Sequence, residues 1–251
     1  MTPAAAPRTA TAAPVLLLVA HGSRDPRHAA TVRTLAARVA ALRPRTRVET
    51  AFLDHCDPAV GAVLDRLAAG AVRDVVAVPL LLTAAYHARC DVPSVLAAAR
   101  ERHPGLTVRQ APVLGPSPLL VEALERRLSE AGAAWDRAST AVVLAAAGTS
   151  DAGALAVIED VARQWRERGG WRAVRPAYAS TASPRTGDAV RALRGEGARH
   201  IVVAPYVLAP GRLPDRVAAD AADSGADLLS GVLGPAPEVA RLVLRRFDAA
   251  L

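Results

Sequence analysis

Val15-Leu16-Leu17-Leu18-Val19-Ala20-His21-Gly22-Ser23-Arg24-Asp25 and, 126 residues later, Ala141-Val142-Val143-Leu144-Ala145-Ala146-Ala147-Gly148-Thr149-Ser150-Asp151 decide how this chain is built. Each is a short apolar run that ends in a glycine turn and an aspartate. The same offset carries Phe52 onto Tyr178, Pro58 onto Pro184, Val75-Val76 onto Ile201-Val202 and Pro79 onto Pro205. Further on, Val113-Leu114-Gly115-Pro116 recurs as Val232-Leu233-Gly234-Pro235, with the offset shortened to 119. Self-similarity on this scale means two like units rather than one large domain. The repeat is unequal in one respect. His21 falls on Ala147, Asp54 on Ser180 and His87 on Leu213. Groups able to bind a metal survive in one copy only, which separates chemistry from architecture.

Working outward, β-rich runs alternate with amphipathic helical stretches. Strands are expected over 15–20, 47–53, 75–82 and 107–113, and again near 141–146, 172–178, 200–208 and 227–232. Helices are expected over 26–42, 58–69, 93–102 and 118–131, with matching ones in the second half. Several open on a proline behind an aspartate or serine (Asp25-Pro26, Asp57-Pro58, Ser117-Pro118), as helix starts prefer. Alternating strands and helices predict an α/β chain with mostly parallel sheets covered on both faces. The expected fold is two tandem, similar, flavodoxin-like lobes, each a four-stranded sheet. The 251 residues divide into a disordered tail (1–14), a first lobe (15–131), a linker (132–139) and a second lobe (140–251).

Composition narrows the class. Half of the residues are apolar, so each lobe can bury a core, and no run approaches the roughly 20 apolar residues of a membrane span. Cys56 and Cys90 are too few for a disulfide framework or a metal clip, which points to a reducing cytoplasm. Lysine and asparagine are missing, so all 31 basic residues are arginine and the net charge of +7 reads partly as compositional drift. Without lysine there is no Walker-type phosphate loop, so no nucleotide is expected. With eight aromatics and no continuous arginine stripe, neither is nucleic acid.

Right-handed crossovers allow few strand orders, and the flavodoxin-like order 2-1-3-4 is the commonest for such a unit. His21 then follows the first strand, Asp54 the second, and His87 lies in the loop after the third. All three come to the carboxyl edge of neighbouring strands, where open α/β sheets bind ligands. Two imidazoles and a carboxylate suit a divalent first-row ion with coordination positions left open. His55 should point to the side opposite Asp54, and His28, His103 and His200 read as ordinary surface or core residues. Cys56 and Cys90 read as inert small side chains. The glycine turn persists in the duplicate, so its role is backbone geometry.

His21-Gly22-Ser23-Arg24-Asp25, Phe52-Leu53-Asp54 with Pro58, Val78-Pro79-Leu80, Tyr86-His87 with Asp91-Val92-Pro93, and Leu114-Gly115-Pro116 together resemble the class II chelatases, the sirohydrochlorin chelatases of sirohaem and anaerobic cobalamin synthesis. The resemblance covers the whole first half; the second half matches as its degenerate twin. It implies that His21, His87 and Asp54 bind the metal, with aspartate standing where the family has a glutamate and reaching one methylene less far. It also implies an ATP-independent lyase that puts Fe2+ or Co2+ into sirohydrochlorin, a carboxylate-rich tetrapyrrole, with Ni2+ also compatible with the donors.

On that reading His21 and His87 present the metal and assist deprotonation, while Asp54 ligates or orients an imidazole. Ser23, Arg24, Arg27 and Arg89 lie beside the histidine motifs and are expected to meet the substrate's carboxylates. The fused twin lobes remove the need for a homodimer, so a monomer is expected; composition adds a cytoplasmic location and neither a nucleic-acid nor a membrane partner. Two alternatives stay open: a metallochaperone or tetrapyrrole carrier without turnover, and a chelatase of another tetrapyrrole.

Overall fold

The computed structural model of the chain describes residues 13–84 and 87–251, with His87 described through its backbone alone. All but the last two residues of the expected tail lie outside the described residues, as does Tyr86. The first lobe runs β1 (Val15–Ala20), α1 (Pro26–Leu42), β2 (Val48–Phe52), α2 (Val60–Ala69), β3 (Asp74–Pro79), α3 (Val92–Arg102), β4 (Thr107–Gln110) and α4 (Pro118–Glu130). The second repeats it with β5 (Thr140–Ala146), α5 (Ala152–Gly169), β6 (Ala173–Tyr178), α6 (Thr186–Gly195), β7 (His200–Tyr206), α7 (Arg212–Asp223), β8 (Leu228–Leu229) and α8 (Pro237–Asp248). Both sheets are parallel throughout, in the orders β2-β1-β3-β4 and β6-β5-β7-β8. This is the order expected from the crossover rule.

β1 is buried along its whole length because it lies mid-sheet with helices on both faces. Its even-numbered residues, Leu16, Leu18 and Ala20, face the centre of the molecule; Val15, Leu17 and Val19 face α2 and α3. Truncating a leucine such as Leu16 to alanine would cost about 2–5 kcal/mol. α1 begins at Pro26 because Asp25 caps it, accepting from Arg27 N at 2.9 Å, and Asp151 caps α5 in the same way through Ala154 N. α2 departs from expectation. It starts at Val60, not at 58, since the Pro58 carbonyl is turned back to accept from Phe52 N at the end of β2. β8 is shorter than expected, an abbreviated edge strand of the kind that discourages pairing with other chains.

The last helix of each lobe lies on the sheet of the other: α4 packs against β7 and α8 against β3. α4 and α8 also pack on each other, and α1 lies beside α8, so one continuous apolar core joins the sheets. Paired arginines mark the exchange. Arg127 of α4 donates to the Leu233 carbonyl at 3.0 Å, and Arg246 of α8 donates to the Leu114 carbonyl at 2.9 Å. These partners are related by the 119-residue offset of the repeated Leu-Gly-Pro segment. That segment needs its first glycine: a β-carbon on Gly115 would stand 2.1 Å from the Leu82 carbonyl oxygen. No helix among the described residues is long and apolar enough to cross a membrane.

Candidate functional site

The carboxyl edges of both sheets open into one cleft of about 1010 Å³ between the lobes. That is large even for a small-molecule site. His21 leaves β1 directly into it. Beyond the strand ends the ladder continues for two residues, Leu53 N donating to the Ala20 carbonyl and Asp54 N to the His21 carbonyl, both at 2.9 Å. Gly22 makes this crossing possible. Its φ is +95°, and a β-carbon there would lie 1.8 Å from the Asp54 carbonyl oxygen. Gly148 repeats the geometry against Ser180 at 1.9 Å, although its neighbour is Ala147. The glycine turn is therefore scaffold in both lobes.

His21 Nδ1 sits 3.2 Å from the Gly22 carbonyl, which accepts from the ring in the tautomer that carries its proton on Nδ1. Ser23 is pinned from two sides: its carbonyl accepts from the Cys56 thiol at 2.9 Å, and its hydroxyl oxygen accepts from Asp25 N at 3.1 Å. The Asp54 carboxylate does not turn into the cleft. Its Oδ1 accepts from His55 N at 2.7 Å, its Oδ2 lies 3.3 Å from His55 Nε2, and its side chain is 64% exposed. His87 opens a π-helical turn, His87–Asp91, that widens the entry to α3. Such turns recur at functional sites; the side chain of His87 lies outside the described residues.

The four polar residues expected to meet a substrate separate in space. Ser23 and Arg24 line the cleft, Arg24 from an exposed position. Arg27 instead forms ion pairs with Asp25 and, across the lobes, with Asp215 at 2.6 Å. These contacts hold the Asp25 carboxyl below its usual range and the guanidinium above its own. Arg89 likewise reaches Asp151 of the second lobe at 3.2 Å.

Other cleft residues escaped the sequence reading. The His55 ring lies on the cleft wall with its centre 6.4 Å from that of His21, not on the opposite side. The reason is a left-handed backbone at His55, φ +62°, which breaks the strand-like alternation of side chains. His28 also lines the cleft. Its Nδ1 is buried without a hydrogen-bond partner among the described residues, and burial pushes its pKa below the ordinary value, with His21 adding to the shift. On the far wall stand Tyr178, Tyr206, Arg212 and Arg216. The only hint of Arg212 in the sequence was its place in the duplicate of the Tyr86-His87 loop.

Comparison with known proteins agrees with this architecture. The sequence model of the CbiX family matches residues 15–131 and again 141–250. A sirohydrochlorin cobaltochelatase of Priestia megaterium is 28% identical over 204 residues, 80% of this chain and 66% of that protein. A sirohydrochlorin ferrochelatase of Bacillus subtilis is 24% identical over 169 residues, 67% of this chain and 64% of that protein. The chain thus spans a little under two thirds of the length of these curated relatives. Among solved structures, SirB from Bacillus subtilis with Fe3+ superimposes with a TM-score of 0.83 over 94% of both chains at 22% identity, a likeness of fold. CbiX, described as the terminal enzyme for biosynthesis of siroheme in denitrifying bacteria, gives 0.71 at 26% identity over 94% of this chain and 99% of its own. With the family pattern present twice, and each occurrence coinciding with one parallel sheet and its helices, this chain belongs to the CbiX family.

Proposed function

We propose that this chain is a sirohydrochlorin metal chelatase, a lyase that inserts Fe2+ or Co2+ into the tetrapyrrole without a nucleotide. The observation that carries the reading is the asymmetry of the cleft: imidazoles on the first-lobe wall face Ala147 and its apolar neighbours on the second. The chain's relatives are named as a cobaltochelatase and a ferrochelatase of sirohydrochlorin, and the donor set suits either ion, with Ni2+ also compatible. Cellular supply then decides the metal.

Insertion requires the ion to lose water, two pyrrole N–H protons to leave, and the ring to buckle until its nitrogens meet the metal. His21 and His87 hold the ion by neutral imidazole nitrogens, and each nitrogen, once it has given up the ion, can accept a pyrrole proton. Asp54 supports the ion's grip from the neighbouring loop. The second-lobe wall covers the other face of the ring and limits water. Arg24 and Arg212, both exposed on the cleft from opposite lobes, pair with the guest's carboxylates. The Ser23 hydroxyl, whose oxygen already accepts from Asp25 N, donates to one of them. Arg27 and Arg89 join them by exchanging Asp215 and Asp151 for carboxylates of the guest. The working unit is a cytoplasmic monomer whose own lobes build the cleft, with neither nucleic acid nor membrane as partner.

The test is the absorbance change of sirohydrochlorin on metallation at substoichiometric protein. Multiple turnovers are expected from the wild type, and a loss of at least about 100-fold in His21→Ala and in His87→Ala with folding intact. A single stoichiometric binding event would make the protein a carrier. Wild-type rates in both variants would end the proposal.

A further inference from the structure

The carboxylate next to the metal wall is aimed at its own neighbour. Asp54 contacts His55 twice, at the backbone nitrogen (2.7 Å) and at Nε2 (3.3 Å), and stands outside the set of described residues that line the cleft. His55 does line it, its ring centre 6.4 Å from that of His21 with the ring planes 46° apart. A carboxylate beside one nitrogen of an imidazole orients the ring. With Asp54 beside Nε2, Nδ1 is the nitrogen His55 has left for a ligand.

Two imidazoles on one tetrahedral ion, with metal–nitrogen bonds near 2.1 Å, place their ring centres roughly 5 Å apart. The gap from 6.4 Å is about 1.4 Å, within reach of a small rotation of the half-exposed His55 side chain. Among the described residues no three such donors already enclose one point. The duplicate supplies the control. Thr181 occupies the same turn with φ +61°, so the left-handed backbone is scaffold, and only the first lobe places an imidazole on it.

We propose that His55 is a nitrogen ligand to the incoming metal and that Asp54 is a positioning residue acting through it. This rests on the reading of the cleft as a metal-insertion site. It explains why this chain works with an aspartate one methylene shorter than the family's glutamate: the carboxylate reaches the metal through a ring.

The experiment is titration of the full-length protein with Co2+, followed by the visible ligand-field bands of the bound ion. His55→Gly is the informative variant because glycine adopts the left-handed backbone without strain. It should weaken Co2+ binding by at least about tenfold and alter the bands, and imidazole, at concentrations that leave the wild-type spectrum unchanged, should restore them. Asp54→Asn should weaken binding about tenfold without changing the shape of the bands, and should add nothing in the His55→Gly background. Wild-type affinity and bands in His55→Gly overturn the assignment. So does an Asp54→Asn loss that persists undiminished in that background. His21→Ala tells the two readings apart: if it too binds Co2+ like the wild type, the metal site itself is wrong, whereas silence of His55→Gly alone removes only the His55 ligand.

Discussion

Gly22 and Gly148 provide a paired perturbation whose size can be worked from the structure. An alanine β-carbon at either place would stand under 2 Å from a carbonyl oxygen, that of Asp54 or of Ser180, so the crossing of the two strand ends would have to open by more than an ångström. The left-handed backbone alone costs alanine roughly 1–2 kcal/mol, and forcing an extra group into a packed site costs typically about 1–3 kcal/mol. Each Gly→Ala variant should therefore lose about 2–5 kcal/mol, which in a chain of this length lowers the unfolding midpoint by roughly 5–15 °C. Calorimetry should find the two variants alike, because the geometry is duplicated. Co2+ titration, done well below both midpoints, should find them unlike. Gly22→Ala displaces His21 from the Asp54–His55 turn and should weaken binding about tenfold or more, since small displacements of a ligand are costly. Gly148→Ala should stay within about twofold of the wild type. Equal losses of Co2+ affinity, or an unchanged midpoint in Gly22→Ala, would refute the claim that the scaffold is shared and the chemistry is not.

Two further predictions concern charge. Arg212→Ala should raise the KM for the carboxylate-rich tetrapyrrole roughly tenfold with kcat little changed, the signature of a lost charge-assisted contact, while Arg27→Ala, which removes an exposed bridge to Asp215, should leave the unfolding midpoint within about 2 °C. Steady-state kinetics and calorimetry on the two variants check this, and an unchanged KM in Arg212→Ala would remove it from the substrate's path. His28 concerns pH. Its pKa is lowered by burial, so below about pH 6.5 the unfolded chain takes up a proton that the folded chain refuses. Its contribution to stability is complete above pH 6.5 and is lost as the pH falls through the lowered value. His28→Ala, which copies Ala154 of the twin lobe, should flatten the fall in unfolding midpoint between pH 6.5 and 5; slopes equal to those of the wild type would count against it.

Much of this was legible in the residues because local signals and the repeat agree. β1 and α1 fall where the apolar run and Asp25-Pro26 place them, and the strand order is the commonest of the few that right-handed crossovers allow. The α2 start was misread at Pro58 because an Asp-Pro pair marks a turn as readily as a helix start. The helix exchange was invisible, since an amphipathic pattern shows that α4 and α8 own an apolar face but not which sheet it covers. Arg27 and Arg89 were read from proximity in sequence to the histidines. Their partners, Asp215 and Asp151, belong to the other lobe and could be found only in three dimensions. His55 was misplaced for a backbone reason: alternation holds in an extended strand and fails at a positive φ.

The exchanged helices have a consequence for how the chain comes into being. As it leaves the ribosome, the sheet that carries His21 has all four strands long before α8, Pro237–Asp248, has been made. Until those twelve residues arrive, the β3 surface beneath them, with Val76 and Val78, stays open to solvent or to the wrong company. The first lobe therefore cannot finish its core before α8 is made, and damage to α8 reaches the sheet that carries His21.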